Sequence, residues 1–253
     1  MARLITPAIV VRTVDYGESD RIVTLFTRNA GKLSAIARSA RKSVKRFGAG
    51  LSLFGVGEAT LNERPGAELA TLEAFDGARG FPQLLLDVAK VAHGGYACEL
   101  TRELVPPRQP EVAIFDLLIE FLTILEAAPA RAETLRVFEL ALLSLVGLEP
   151  VLGRCLGCNG EDDVLDQPGQ VFDVRRGGVV CAGCHGDGKL LDGTARTTLL
   201  AAQQLELTAA AGLTISPSVN AMCRDALAAL ISDHLGRPLK SLEFISKLNQ
   251  AAS

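Results

Sequence analysis

The sequence contains neither Asp nor Glu between Asp20 and Glu58, although the whole chain has 29 acidic residues and a formal net charge of −3. Eight cations occupy this stretch: Arg21, Arg28, Lys32, Arg38, Arg41, Lys42, Lys45 and Arg46. Cations without intervening acids create a local positive field, for which a polyanion is the commonest partner. The alternative is a solvated surface that happens to have few acids. Because the cations lie among predicted strands rather than in a tail, we favour nucleic-acid binding.

Catalytic residue types are also scarce. The chain has three histidines, and each lies in a predicted helix or beside a cysteine rather than in a catalytic arrangement. Gly55-Val56-Gly57 lacks the third glycine and the following helix of a dinucleotide fingerprint. The sequence has no phosphate-binding loop, nucleophile elbow or paired metal-binding acids. These absences argue against an enzyme, including a nuclease or a ligase-like protein.

Long apolar segments are missing as well. The longest candidates, Ile114–Leu125 and Leu135–Leu148, are interrupted by charged residues, and a membrane span needs about 20 apolar residues. The first residues lead into a strand pattern rather than the apolar core of a secretory signal. We therefore expect a soluble, cytoplasmic protein without a membrane partner. In that reducing compartment its six cysteines would be thiols or metal ligands, not disulfides.

The charge divides unequally along the chain. Residues 1–80 contain twelve Lys or Arg and eight Asp or Glu, whereas the remainder contains fourteen and twenty-one. Five short strands are predicted in the basic part: Ile9–Val14, Arg21–Thr27, Lys32–Arg38, Leu51–Leu61 and Glu68–Phe75. Five short strands with glycine-rich turns favour a small closed barrel. Asp15, Glu18 and Asp20 precede the second strand, and we expect them to accept local hydrogen bonds at a turn.

From Phe81 onward the apolar residues recur at helical spacing. The predicted helices run from Phe81 to the Pro106-Pro107 pair and over Val112–Ala127, Ala132–Val146, Ala195–Ala211, Ser218–Leu235 and Lys240–Leu248. The predicted architecture is α+β and multidomain. Residues 1–80 form the barrel domain, and residues 81–253 form a helical domain with a cysteine module inserted at about 150–190.

Two CxxC pairs are the strongest local motif. They consist of Cys155, Cys158, Cys181 and Cys184. Two such pairs complete a tetrahedron of thiolates suited to Zn²⁺, and four thiolates leave no open position for a substrate. Gly157 and Gly183 would permit the tight turn within each pair, and residues 170–180 read as a hairpin of a zinc ribbon. We predict one structural zinc ion per chain. An iron–sulfur cluster is the alternative, and His185 could replace Cys184.

These features together resemble the bacterial recombination mediator family RecO. The similar segments are Val14–Thr27, Gly31–Ala35, Ala40–Lys42 and Arg46–Gly48. The order of parts also matches, namely a small barrel, a helical body, a four-cysteine zinc module and further helices. The resemblance covers essentially the whole chain, and it implies that the first domain is an OB-fold in a protein of the bacterial cytoplasm and nucleoid.

The resemblance also implies a function. The protein would bind single- and double-stranded DNA, anneal complementary strands and work with RecR, in many bacteria also with RecF. It would help RecA to displace the single-strand-binding protein SSB by contacting the acidic C-terminal tail of SSB. An alternative function of another kind is a non-catalytic zinc-containing scaffold that binds proteins and contacts RNA or DNA nonspecifically.

An OB barrel binds single strands through a basic groove and stacking aromatics. The expected phosphate contacts are Lys32, Arg38, Arg41, Lys42, Lys45 and Arg46, with Arg21 and Arg28 as further candidates. Among the few aromatics, Tyr16 and Phe47 are candidates for stacking on bases, whereas Phe26 and Phe54 are expected in the core. Binding would then be mostly electrostatic and weakly dependent on sequence.

Overall fold

The computed structural model describes residues 2–47, 51–64 and 66–251. Its first part is a closed five-stranded barrel. The strands are β1 (Ala2–Tyr16), β2 (Asp20–Thr27), β3 (Gly31–Ala37), β4 (Val56–Glu63) and β5 (Ala70–Arg79). Their order around the barrel is β1-β2-β3-β5-β4; the β3–β5 pair is parallel, and the other four pairs named by this order are antiparallel. This is the predicted OB-fold.

Alternating burial along the strands gives the barrel an apolar interior. In β3 every second residue is buried, so Leu33, Ala35 and Ala37 face the core. The long strand β1 pairs with two neighbours: residues 2–9 pair with β4, and residues 8–16 pair with β2, with a register shift between Val10 and Arg12. The β1–β4 and β3–β5 pairs complete the ring of strands, so the sheet has no open edge.

The strand predictions are wrong at the start of the first and fourth strands, and the fifth strand runs to Arg79 rather than Phe75. The first strand begins at Ala2 rather than Ile9, because β4 pairs with residues that the apolar pattern leaves out. Residues 51–54 form a turn and not the start of a strand. Phe54 takes a left-handed backbone conformation (φ 70°) and is buried. The apolar side chains of this segment are therefore buried by tertiary packing although the segment is not part of a β-sheet.

Among its described residues, the first of two compact units, which ends at Pro129, contains four helices besides the barrel. They are α1 (Val44–Phe47), α2 (Pro82–Leu85), α3 (Val88–Leu104) and α4 (Val112–Ala127). The prediction of a single helix from Phe81 to the proline pair is wrong, because the chain forms two helices that Asp87 separates. The side chain of Asp87 accepts hydrogen bonds from the backbone N–H groups of Ala89 and Lys90 and caps α3. The domain boundary predicted at residue 80 stays a prediction.

The second compact unit begins at Ala130. Its elements are α5 (Ala132–Leu145), α6 (Asp162–Leu165), β6 (Val171–Asp173), β7 (Gly178–Val180), β8 (Lys189–Leu190), α7 (Gly193–Gln203), α8 (Pro217–Leu235) and α9 (Lys240–Ala251). The three strands form a small sheet in the order β7-β6-β8. The helix predicted over Ala195–Ala211 ends at Gln203, and a 3-10 turn covers Leu207–Gly212. Apolar spacing alone does not separate these two helix types.

Within the described residues, no helix combines the length and the apolar character needed to cross a membrane.

Candidate nucleic-acid interface and metal centre

The eight cations of the acid-free stretch do not form one site. Strand register places them at opposite ends of the barrel, because Arg21 pairs with Ala37 whereas Thr27 pairs with Gly31. The hairpin end comprises the β1–β2 turn and residues 38–47 and carries Arg21, Arg38, Arg41, Lys42, Lys45 and Arg46. The covered end comprises the β2–β3 turn and residues 105–111, and it carries Arg28 and Lys32.

Most cations of the hairpin end are exposed and have no carboxylate partner. Among the described side chains, no ion pair involves Arg38, Arg41, Lys42 or Arg46, and all four are exposed. Lys45 lies in α1, and its side chain is outside the described part of the chain. Arg21 differs, because its Nε lies 2.9 Å from Asp15 Oδ1. A group of unpaired cations on one surface is a suitable contact for phosphates.

Backbone contacts hold the basic segment in place. The N–H of Arg41 donates to the carbonyl of Ser19 at 3.1 Å. Arg46 donates through Nη2 to the carbonyl of Arg38 at 2.8 Å and through Nε to Ser43 Oγ at 3.0 Å. Its guanidinium carbon lies 5.0 Å from the centre of the Phe47 ring. Arg46 therefore orders this segment while its side chain stays exposed.

The aromatic candidates separate clearly. Phe47 is only 1% exposed and belongs to the barrel core, so the hypothesis that it stacks on bases is wrong. Phe26 and Phe54 are buried, as predicted. Tyr16 is 55% exposed at the start of the β1–β2 turn. The outer face of the described β2–β3 pair carries no exposed aromatic, which leaves Tyr16 as the stacking candidate of the hairpin end.

The cations of the covered end are already engaged. Arg28 Nη2 lies 2.7 Å from Asp116 Oδ2 on α4, and hydrogen bonding from this guanidinium lowers the pKa of Asp116. Lys32 donates through Nζ to the carbonyl of Arg102 on α3. Burial lowers the pKa of Lys32. Both residues therefore make contacts within the first unit that compete with phosphate binding.

The connection between α3 and α4 packs closely on this end. The N–H of Arg108 donates to the carbonyl of Lys32 at 2.8 Å, and the side chain of Arg108 donates to Glu63. Gly31 has a left-handed backbone (φ 69°), and a Cβ atom there would lie 2.1 Å from the carbonyl oxygen of Gln109. Phe26 and Phe115 add an aromatic contact with ring centres 5.9 Å apart. The protein's own helices thus cover this end of the barrel.

The four cysteines converge in the second unit. The first pair lies in a loop that joins β7 through a hydrogen bond from the N–H of Leu156 to the carbonyl of Val179, and the second pair follows β7. All four sulfur atoms lie within 4.8 Å of one another. A zinc tetrahedron with bonds of about 2.3 Å has sulfur–sulfur edges of about 3.8 Å, and the sulfurs of Cys158 and Cys181 are 3.9 Å apart. The arrangement fits a zinc ion, and His185 is not needed.

Hydrogen bonds prepare one of these thiols for ionisation. Burial raises the pKa of Cys155, but backbone N–H groups, including those of Cys181 and Gly157 at 3.3 Å each, lower it to about 6. Hydrogen bonding with Cys181 and Cys158 raises the pKa of Cys184 to about 12. Because thiolates are the metal ligands, metal binding must displace the proton of Cys184.

The reason predicted for the two glycines is wrong. The left-handed residues of the two turns are Asn159 (φ 60°) and His185 (φ 48°), each one position after the second cysteine. Gly157 is required instead by packing, because a Cβ there would lie 2.7 Å from the Cβ of Cys184, whereas open space surrounds Gly183.

Sequence reasoning missed Arg196 on α7. This side chain is fully buried, and its Nη2 lies 2.8 Å from Asp162 Oδ1 and 2.7 Å from Asp166 Oδ1, on and beside α6. Its Nη1 donates to the carbonyl of Leu152 at 3.3 Å. Arg196 thereby joins the first cysteine loop to the helices of the second unit. Arg196 interrupts an apolar helical pattern in the sequence. A charged residue at such a position indicates a buried and paired charge, and this was the signal by which Arg196 could have been found.

Both parts of the chain match models of known protein families. The family model described as Recombination protein O N terminal matches residues 1–81, and Recombination protein O C terminal matches residues 85–243. The DNA repair protein RecO of Anaeromyxobacter sp. (strain Fw109-5) is 42% identical, with 97% of this chain and 96% of that protein covered. The DNA repair protein RecO of Myxococcus xanthus is 36% identical, with 98% and 99% covered. That of Symbiobacterium thermophilum is 35% identical, with 99% and 100% covered.

The two family models cover barrel and helical parts in the same order as the fold, and the relatives align over nearly their whole length. The chain therefore belongs to the RecO family and has a role in DNA repair.

Proposed function

We propose that this protein is a non-catalytic recombination mediator that binds DNA, anneals complementary single strands and helps to load RecA on SSB-coated single strands, together with RecR and in some cells RecF. The observation that carries the proposal is a group of exposed cations at the hairpin end that form no ion pair with any described carboxylate, namely Arg38, Arg41, Lys42 and Arg46. Lys45 and Arg21 are further contacts of the same end. Arg28 and Lys32 contribute less, because Arg28 forms an ion pair with Asp116 and Lys32 is half-buried.

Annealing needs no covalent chemistry. Two complementary strands repel each other through their phosphates, and a protein that neutralises this charge lowers the barrier to their encounter. Contacts to phosphates do not depend on base identity, which suits a protein that must act on any sequence. Tyr16 would add stacking that is also tolerant of sequence. The hairpin end thus has the properties that pairing of arbitrary strands requires.

The mediator role requires more than DNA binding, since the strands in a cell are coated by SSB. We propose that the SSB tail, which is acidic and ends in apolar residues, docks on this protein and that RecR joins the complex. Two complementary fluorescent oligonucleotides precoated with SSB provide the test. Faster pairing with the protein than without it is the expected result. If only bare strands pair faster, the proposed action through SSB is wrong.

For the cysteine cluster we infer one structural zinc ion per chain, held by Cys155, Cys158, Cys181 and Cys184. Zinc supplies a crosslink between two loops here, because four thiolates leave no position for a substrate. Metal analysis of protein purified without added zinc should find about one ion per chain. Cys158→Ser should lose it, whereas Cys98→Ser, at a buried cysteine outside the cluster, should keep it. Iron in place of zinc would contradict this assignment.

A further inference from the structure

We propose that Asp20 is a positioning residue for nucleic-acid binding, although it carries the same sign of charge as the ligand. The inference rests on the proposed function of the hairpin end. Asp20 is the first residue of β2 and pairs with Tyr16 across the β1–β2 turn. It therefore stands directly between the stacking candidate and the basic segment.

The carboxylate holds the beginning of the basic segment. Asp20 Oδ1 accepts a hydrogen bond from the backbone N–H of Ser39 at 2.8 Å and another from Ser19 Oγ at 3.3 Å. Ser39 has a left-handed backbone (φ 55°), which is unfavourable for a residue with a side chain. A side-chain acceptor held on the backbone N–H compensates for this unfavourable conformation.

The conformation of Ser39 in turn shapes the segment that carries the cations. The carbonyl of Ser39 accepts hydrogen bonds from the N–H groups of Lys42 and Ser43, both at 3.0 Å. Arg38 and Ala40 flank Ser39, and Arg41 is fixed to Ser19 through its own N–H. Release of Ser39 would thus loosen the backbone at Arg38 and Lys42, two of the exposed cations. Ordering that backbone again on binding would reduce affinity.

Charge and position make opposite predictions for this residue. If Asp20 acted only through its charge, its removal would strengthen DNA binding, because one anion would leave a basic surface. If Asp20 acts by position, its removal weakens binding. Glu18 is a matched control, since it lies in the same turn, its side chain is exposed, and only its backbone carbonyl contacts Arg41.

The test is the affinity of the full-length protein for a fluorescent single-stranded oligonucleotide. We expect Asp20→Ala to bind about tenfold more weakly than the wild type, because the binding segment is no longer pre-organised. Asp20→Asn keeps an acceptor for the Ser39 N–H, so it should bind as tightly as the wild type or more tightly. Glu18→Ala should bind slightly more tightly. Exchange of the Ser39 amide hydrogen should accelerate in Asp20→Ala but not in Asp20→Asn.

Asp20→Glu protects the test against a folding defect in the alanine variant. This variant keeps the charge and displaces the carboxylate by one methylene. The positioning role therefore predicts weaker DNA binding, whereas a pure charge effect predicts no change in affinity. The inference is overturned if Asp20→Ala binds as tightly as Glu18→Ala, or if Asp20→Glu binds like the wild type. Absence of DNA binding by the wild type would instead contradict the proposed function.

Discussion

The two ends of the barrel carry cations from the same acid-free stretch, yet they differ in what those cations contact. At the hairpin end Arg38, Arg41 and Lys42 are exposed and form no ion pair with any described carboxylate. At the covered end Arg28 pairs with Asp116, and Lys32 is half-buried against a carbonyl. The difference shows that a run of cations in a sequence does not define a binding surface. Contacts supplied by distant parts of the chain decide which cations stay available.

The second unit extends this comparison to a fully buried cation. Arg196 has two carboxylate partners, and both carboxylates are largely exposed. Arginine thus occurs here in three arrangements. Arg38 is exposed without an ion pair to a described carboxylate, Arg28 is partly exposed and paired, and Arg196 is fully buried and paired. Each arrangement predicts a different result when the charge or its partner is removed.

The largest effect on stability is expected in the second unit. Asp162→Asn combined with Asp166→Asn leaves the buried Arg196 without a counter-charge, and an uncompensated buried charge costs about 3 kcal/mol or more of unfolding free energy. Urea denaturation measures this loss. Asp163→Asn is the control, because Asp163 is exposed on the same helix and should change stability by less than about 0.5 kcal/mol. Equal stabilities of the two variants would show that Arg196 does not depend on its acids.

A smaller effect should distinguish the two ends of the barrel through their glycines. Gly17 at the hairpin end and Gly31 at the covered end both have a left-handed backbone, with φ of 59° and 69°. An added Cβ meets nothing within 4 Å at Gly17 but collides with the backbone of Gln109 at Gly31. Gly17→Ala should destabilise by about 1 kcal/mol, and Gly31→Ala by about 2 to 3 kcal/mol. Thermal unfolding compares them, and similar losses would mean that the covered end is not tightly packed.

The smallest effect concerns the exposed aromatic ring. Tyr16→Ala should weaken binding to a single-stranded oligonucleotide by about 1 kcal/mol, because stacking of one base contributes about 1 to 3 kcal/mol. Tyr16→Phe keeps the ring and is the control. Because stacking carries no charge, the salt dependence of binding should be the same in both variants. A weakened Tyr16→Phe would point to the hydroxyl group instead of the ring.

The features set by local spacing could be predicted from the sequence. Strands and tight turns follow from short periodic patterns, so the barrel was predictable, although the start of β1 was not. Two CxxC pairs with a hairpin between them predict a cluster of four thiols through local geometry, and the structure brings the four sulfurs together.

The features set by distant contacts could not be predicted. The partner of Arg28 lies 88 positions further along the chain, and that of Lys32 lies 70 positions further. Phe47 lies in a short basic segment, and only the closed barrel shows that its ring is buried. Arg196 likewise finds its acids 30 and 34 residues away. No periodicity indicates such pairs.

The salt dependence of single-stranded DNA binding tests the central claim most directly. On single strands each phosphate contact contributes about 0.7 to the slope of log affinity against log salt. A variant with Arg38→Ala, Arg41→Ala and Lys42→Ala should therefore lose about 2 from that slope, whereas Arg28→Ala at the covered end should leave it unchanged. An unchanged slope in the triple variant, or an equal loss per residue at both ends, would contradict the assignment of the binding surface to the hairpin end.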